Sequence, residues 1–156
     1  MPSRQHDQAQ PADAIALLKA DHQRLRDLFS QYEATSNQAT KRTLAAQVFL
    51  ELETHAQLEE NIFYPAVNEG TDEGPDLVKD SVQEHETVHQ LIQELQGMEH
   101  GSDEFDTKFH ELIRNVEHHV AEEESEMFPL SEQELSEDLD EMREEMQEMK
   151  VDIQGA

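Results

Sequence analysis

The sequence predicts an all-α protein, an antiparallel up-down-up-down four-helix bundle with an additional C-terminal amphipathic helix. Three observations carry this expectation. Four long segments place apolar residues at alternating steps of three and four, the spacing of one buried helix face. No segment alternates apolar and polar residues as a half-buried strand would. The five glycines and five prolines fall almost wholly in tails and connections, and short connections between long helices favour antiparallel neighbours.

Residues 1–11, rich in Gln, Pro and Asp, read as a disordered arm. The first helix is expected from about Ala12 to Ala34, with Ile15, Leu18, His22, Leu25, Phe29 and Tyr32 on its inner stripe and a polar turn at Thr35, Ser36 and Asn37 behind it. The second runs from about Gln38 to Pro65 or slightly beyond, with Leu44, Val48, Leu52, His55, Glu59, Ile62 and Ala66 facing inward. A loop from Asn68 carries Gly70 and Gly74 to Pro75, which is well placed to open the third helix. That helix should end near Gly97, and its stripe reads Val78, Val82, His85, His89 and Ile92. Ser102 is a good cap for the fourth, whose stripe is Phe105, Phe109, Leu112, Val116, His119 and Glu123. Pro129 should stop it near Phe128, because a proline biases its predecessor away from helical geometry. These four helices make one bundle over residues 12–130. A capping box at Ser131 then starts an acidic helix, in residues 131–156, with Leu135, Leu139, Met142, Met146 and Met149 on one stripe; it either packs on the bundle or offers an adaptable face for self-association or a protein partner.

Composition bounds what such a bundle does. The 156 residues suffice for one domain with one core. Eleven Lys and Arg against 37 Asp and Glu give a formal charge of -26, which repels phosphate backbones and anionic lipid alike, so neither nucleic acid nor membrane is an expected partner. The absence of cysteine excludes disulfides, thiolate ligands and cysteine nucleophiles, so any metal must be held by nitrogen and oxygen. No apolar run is long enough to span a bilayer and none follows the N-terminus, which makes the cytoplasm the expected location.

Seven inward positions hold ionisable groups where a core wants hydrocarbon: His22, His55, Glu59, His85, His89, His119 and Glu123. An unpaired imidazole or carboxylate buried among Leu, Val and Phe costs several kcal/mol, so such groups persist in cores only when paired, hydrogen-bonded or bound to metal. An internal repeat orders them. A shift of 63 residues brings His22 onto His85; a shift of 64 brings His55, Glu59, Glu60, Tyr64 and Pro65 onto His119, Glu123, Glu124, Phe128 and Pro129. One break in the symmetry is that Arg26 stands four after His22, where His89 stands four after His85. Two shared carboxylates among five imidazoles suit two metal ions, one filled by three histidines and one left with a vacancy where a small diatomic would bind. His118, His110, His100 and His6 read as surface histidines.

The pattern of Asp21-His22, His55xxxGlu59 with Tyr64-Pro65, His85xxxHis89, and His119xxxGlu123 with Phe128-Pro129 resembles the hemerythrin family, in particular the bacterial hemerythrin-like HHE domains, over about residues 12–130. The resemblance implies a non-haem di-iron centre with an oxo or hydroxo bridge. His85, His89 and His119 would hold one iron, His22 and His55 the other, and Glu59 and Glu123 would bridge. It also implies dioxygen binding for storage, transport or sensing; Val116 and Val120 flank His119 and Leu25 and Phe29 follow His22 on its face, so these four are expected to line the vacancy, and no catalytic residue is expected. An alternative is a redox enzyme acting on peroxide or nitric oxide in stress defence. Less favoured are a metal-responsive interaction module, a zinc peptidase built on HExxH at residues 85–89, and ferritin-like storage, which wants paired ExxH motifs.

Overall fold

The computed structural model describes residues 11–155, and the expected arm at residues 1–10 lies outside them. Helix α1 spans Ala14–Ala34, α2 Gln38–Leu58, α3 Tyr64–Gly70, α4 Gly74–Gln96, α5 Asp103–Glu122, α6 Phe128–Glu134 and α7 Leu139–Gln154. A π-helical turn, Glu59–Phe63, joins α2 to α3, and a second, Glu123–Met127, joins α5 to α6, so the described residues form five rods. Among the described residues there is no strand, and no helix is long and apolar enough to cross a membrane.

Side-chain caps set three of the helix starts. Asp13 accepts the Ala16 N–H at 2.9 Å, Asn37 that of Thr40 at 2.9 Å, and Ser102 that of Phe105 at 3.0 Å, each satisfying a donor the helix leaves free. Pro75 opens α4 as expected, and Gly74 before it is required by space, since a Cβ there would lie 2.2 Å from the Val67 carbonyl oxygen.

Pro129 does not end the fourth rod. Both Pro65 and Pro129 sit in the first turn of the helical segment that follows a π-turn, where the widened backbone relieves the clash with the carbonyl one turn back. The capping box at Ser131 is therefore not used. Its hydroxyl donates to the Met127 carbonyl at 2.8 Å inside α6, and the last helix begins at Leu139.

The π-turns also move the inner stripe by one residue. Ile62 and Ala66 were expected to face the core, but Phe63 and Val67 are the buried residues. An extra residue in one turn displaces everything after it by about 100°.

The apolar interior falls into two clusters. One gathers Leu25, Phe29, Tyr32, Val48, Phe49, Ile92, Phe109 and their neighbours; the other gathers Ile15, Leu18, Leu58, Phe63, Val67, Met127, Phe128 and the inner face of α7. On every long rod the ionisable positions lie between the two. Helix α7 packs across α1 and α2 and buries Leu139, Met142 and Met146. The methionine stripe thus packs on the bundle and extends this molecule's own core, the first of the two alternatives that the sequence leaves open.

Candidate metal centre

Six ionisable side chains converge between the apolar clusters in two overlapping groups. His22 and His55 meet Glu59 and Glu123 on one side, and His85 and His119 meet the same two carboxylates on the other. Each glutamate turns one oxygen to each side. Glu59 places Oε2 at 3.2 Å from His55 Nε2 and Oε1 at 2.9 Å from His85 Nε2. Glu123 places Oε1 at 3.3 Å from His22 Nε2 and Oε2 at 3.2 Å from His119 Nε2. The imidazoles approach in pairs, with Nε2 to Nε2 distances of 3.2 Å for His22–His55 and for His85–His119.

Outer carboxylates hold all four rings in this orientation. Glu124 takes His22 Nδ1 at 2.8 Å, Asp21 takes His55 Nδ1 at 3.0 Å, Glu60 takes His85 Nδ1 at 2.7 Å and Glu84 takes His119 Nδ1 at 2.7 Å. A proton fixed on Nδ1 leaves the Nε2 lone pair aimed inward, the arrangement of metal-bound histidines. The two halves of the repeat supply these partners alike, for Glu60 and Glu124 are 64 apart and Asp21 and Glu84 are 63 apart.

The seventh expected ligand is elsewhere. His89 is 59 % exposed, and its Nδ1 lies 3.9 Å from Glu53 at the rim. The buried face of α4 is made by Ser81, Leu91, Ile92 and Leu95, which puts His89 about 100° around the helix from its centre. Glu86 is exposed as well, so residues 85–89 do not converge as a zinc peptidase motif requires.

Tyr64 occupies the place left by His89. Its hydroxyl lies 2.5 Å from Glu123 Oε2 and 2.9 Å from Glu59 Oε1, with one proton to give to either, and 3.2 Å from His85 Nε2 and 3.4 Å from His119 Nε2. Five residues along an α-helix would leave Tyr64 about 140° away from Glu59, and the π-turn removes that gap. The signal was present in the repeat, which sets Tyr64 against Phe128. Phe128 stacks on His22 at 5.6 Å between centroids and brings no donor.

Electrostatics at this cluster are those of acids and bases awaiting a cation. Burial opposes the charge on His55 and His119, but Glu59 and Asp21 around the first, and Glu123, Glu59 and Glu84 around the second, hold both well above the usual histidine range. Burial likewise opposes ionisation of Glu59, and His55, His119 and His85 overcome it and hold the carboxyl well below its usual range. Burial, then Glu59 and Glu123, push the Tyr64 phenol well up. Even so, Glu59 Oε2 and Glu123 Oε1 are buried and accept no hydrogen bond. Both face the His22–His55 side. Two unsatisfied anionic oxygens with imidazole Nε2 atoms beside them fit metal cations, and the absence of sulfur suits borderline ions such as iron or zinc.

A cavity of about 50 Å³ opens against His22, His55, His85 and His119. Glu53 and His89 stand at its rim, and Leu25, Val116 and Val120 line it, together with Leu52, Val88 and Ile92. Phe29 does not; it lies in a neighbouring depression with Arg26 and Glu117. The cavity holds a water-sized or diatomic guest and little more.

A family profile described as the hemerythrin HHE cation binding domain matches residues 13–131. A protein of Nostoc sp. named DNA nickase is 24% identical over 112 residues, 72% of this chain and 31% of its own length. An uncharacterized hemerythrin-like protein of Schizosaccharomyces pombe is 26% identical over 119 residues, 76% of this chain and 59% of its own. The chain therefore spans less than two thirds of either relative. The crystal structure of a hemerythrin HHE cation binding domain-containing protein from Mycobacterium kansasii superposes with a TM-score of 0.80 at 22% identity, over 92% of this chain and 88% of that one, a likeness of fold.

Proposed function

The chain belongs to the hemerythrin HHE cation-binding family, and from that premise we propose that it is a non-haem di-iron protein that takes dioxygen, for storage, transport or sensing, into the cavity beside His22 and His55. The carrying observation is the inequality of the two halves. Tyr64 adds a donor where His85 and His119 stand, and Phe128, at the matching place, adds none beside His22. The His85–His119 position would thereby have one protein donor more than the His22–His55 position, which would leave the latter the freer to take a guest from the cavity that all four imidazoles line.

Bound there, a pair of irons would supply the electrons that dioxygen accepts. Everything else falls to the chain. Glu59 and Glu123 present one oxygen to each position and bring the two negative charges that a pair of cations needs. Tyr64 holds its proton between these carboxylates until a cation competes for the phenol oxygen. Leu25, Leu52, Val88, Ile92, Val116 and Val120 give the cavity an apolar wall on the side away from Glu53 and His89, which disfavours onward chemistry of a guest held against it. The charge of -26 supports keeping nucleic acid off the list of partners, whatever the Nostoc relative acts on.

A second reading, turnover of peroxide or nitric oxide, has its own support. A groove of about 470 Å³ lined by Glu53, Gln57, Glu60, Glu86 and His89 reaches His85, so a polar path ends at one edge of the cluster. One experiment separates the two readings. The chain is loaded with ferrous iron without air, its iron counted, and its optical spectrum followed as oxygen is admitted and withdrawn. Colour that comes and goes with oxygen supports binding. Irreversible oxidation with consumption of peroxide supports turnover, and fewer than two irons per chain sinks the di-iron reading.

A further inference from the structure

The four histidines of the centre are backed by carboxylates, but those carboxylates are not in equal surroundings. Around His22 and His55 both are ion-paired in turn. Arg26 Nη2 lies 3.1 Å from Glu124 Oε1, and Lys150 Nζ lies 2.6 Å from Asp21 Oδ1. Around His85 and His119, among the described residues, neither Glu60 nor Glu84 is paired with a lysine or arginine. Glu84 has His118 Nε2 at 3.7 Å instead, and Glu60 is 45 % exposed. In a chain with 11 basic residues against 37 acidic ones, two cations behind the same half are not explained by abundance. They also arrive independently, Arg26 from one turn beyond His22 on α1 and Lys150 from α7, 129 residues from its partner.

We propose that Arg26 and Lys150 are positioning residues that make the His22–His55 metal position the weaker-held and more easily reduced of the two. A carboxylate that accepts Nδ1–H pushes electron density toward Nε2 and so toward a bound cation. A guanidinium or ammonium on its other oxygen draws that density back. Two fixed positive charges behind the ligands also repel a further cation directly. Both effects act on the half where Phe128 stacks without bringing a donor, so the position with fewer protein donors is also the one whose ligands donate least. The last helix, outside the four-rod frame that carries the ligands, thereby tunes the centre through Lys150.

This inference rests on the two-cation reading above. Its test is competitive titration of the full metal-free chain with Zn²⁺ against a chelator of known affinity, resolved into two constants, for wild type, Lys150→Met, Lys150→Arg, Arg26→Met and Asp21→Asn. The midpoint potential of the iron-loaded forms is measured alongside. Lys150→Met should tighten the weaker constant about fivefold, the order expected for removing one charge two hydrogen bonds away, and should lower the potential. Lys150→Arg should leave both as in wild type, and Asp21→Asn should loosen the same constant about tenfold or more. Arg26→Met, on another helix, should shift in the same direction as Lys150→Met, which keeps the test open should the α7 variant fold poorly. A residue that merely anchors α7 would behave otherwise: Lys150→Met and Arg26→Met would loosen zinc as Asp21→Asn does, or change neither constant nor potential, and either result overturns the inference alone. Fewer than two zinc ions per wild-type chain would overturn the two-cation reading and this inference with it.

Discussion

Replacing Tyr64 with Phe and His89 with Ala distinguishes the ligand set that the helix register suggests from the one that the structure assembles. Tyr64 is 2% exposed, and its hydroxyl meets both buried carboxylates. It has one proton to give, so only one charged hydrogen bond is lost at a time, about 1.5–3 kcal/mol in the metal-free chain. For a domain of this size that is a fall in melting temperature of about 3–12 °C. His89, 59 % exposed and 3.9 Å from Glu53, should cost the metal-free chain less than about 0.5 kcal/mol. With metal present the contrast widens. Tyr64→Phe removes the donor at the His85–His119 position, and one of the two cations should bind at least about tenfold more weakly, since even loss of an outer partner costs that much. His89→Ala should hold both cations within about twofold of wild type. Calorimetric melts of metal-free protein and zinc titrations supply the two readouts. A His89→Ala chain that loses one cation while Tyr64→Phe retains two would refute the reasoning and restore His89 as a ligand.

The acid–base arrangement gives the metal-free chain an unusual response to pH. His55, His119 and His85 lie above the usual 6.5, so what their charged forms contribute is complete below about pH 6.5 and is lost as pH rises through the raised native values. Glu59 lies below the usual 4.5, so its contribution is complete above about pH 4.5 and is lost on acidification. Metal-free protein in 0.5 M salt, which screens surface repulsion, should therefore melt highest near pH 5–6 and lower at pH 8.5; zinc should abolish the alkaline fall by replacing the protons. A metal-free chain that melts higher at pH 8.5 would contradict this. Val116→Phe should fill the cavity beside His22, slowing oxygen uptake by iron-loaded protein with two irons retained; unchanged uptake would show that the guest enters elsewhere. Tyr32→Phe removes a 2.6 Å bond to Asp106 far from the centre and should cost about 1 kcal/mol, seen as a melting temperature about 2–4 °C lower with zinc binding unchanged.

Periodicity carried the expectations as far as an undisturbed α-helix carries periodicity. On α1 every residue of the expected stripe from Ile15 to Tyr32 is buried, and on α5 every residue from Phe105 to Glu123. Both rods keep their register up to the ligands. On α2 the stripe holds to Glu59 and then fails by one residue, since the π-turn starting there brings Phe63 and Val67 inward in place of Ile62 and Ala66. Helix α4 failed differently. Its apolar residues are few, and Val78, Val82 and Ile92 admit a stripe that includes His89 as readily as one centred on Leu91 and Leu95. Spacing alone does not choose between faces separated by about 120° on so polar a helix. Six of the seven expected ligands nonetheless meet: five stand on rods whose register the apolar neighbours determine, and His85 lies close enough to both candidate faces of α4 to reach the cluster with either.

The two π-turns explain why the repeat is more informative than either half. Each begins at a bridging glutamate and is followed by an aromatic residue and a proline, Tyr64-Pro65 and Phe128-Pro129. In each, the backbone N–H of the aromatic residue bonds the carbonyl of the glutamate five residues earlier, which swings the ring over the metal cluster. The backbone device is therefore the same in both halves, and at the two π-turns the aromatic residues differ by one oxygen atom, the Tyr64 hydroxyl. The asymmetry first read as a histidine against Arg26 is real in the sequence, but in space it is divided: His89 goes to the cavity rim, Arg26 goes to Glu124 behind His22, and the phenol supplies the donor. A protein that copies one hairpin and then changes one aromatic and one basic position obtains two unlike groups of candidate ligands from a symmetric frame. Phe128→Tyr follows as the converse experiment. It should place a hydroxyl beside His22 and Glu123, occupy the open position, and suppress oxygen uptake in iron-loaded protein that still holds two irons; undiminished uptake would mean that the opening opposite Phe128 is not where the guest binds.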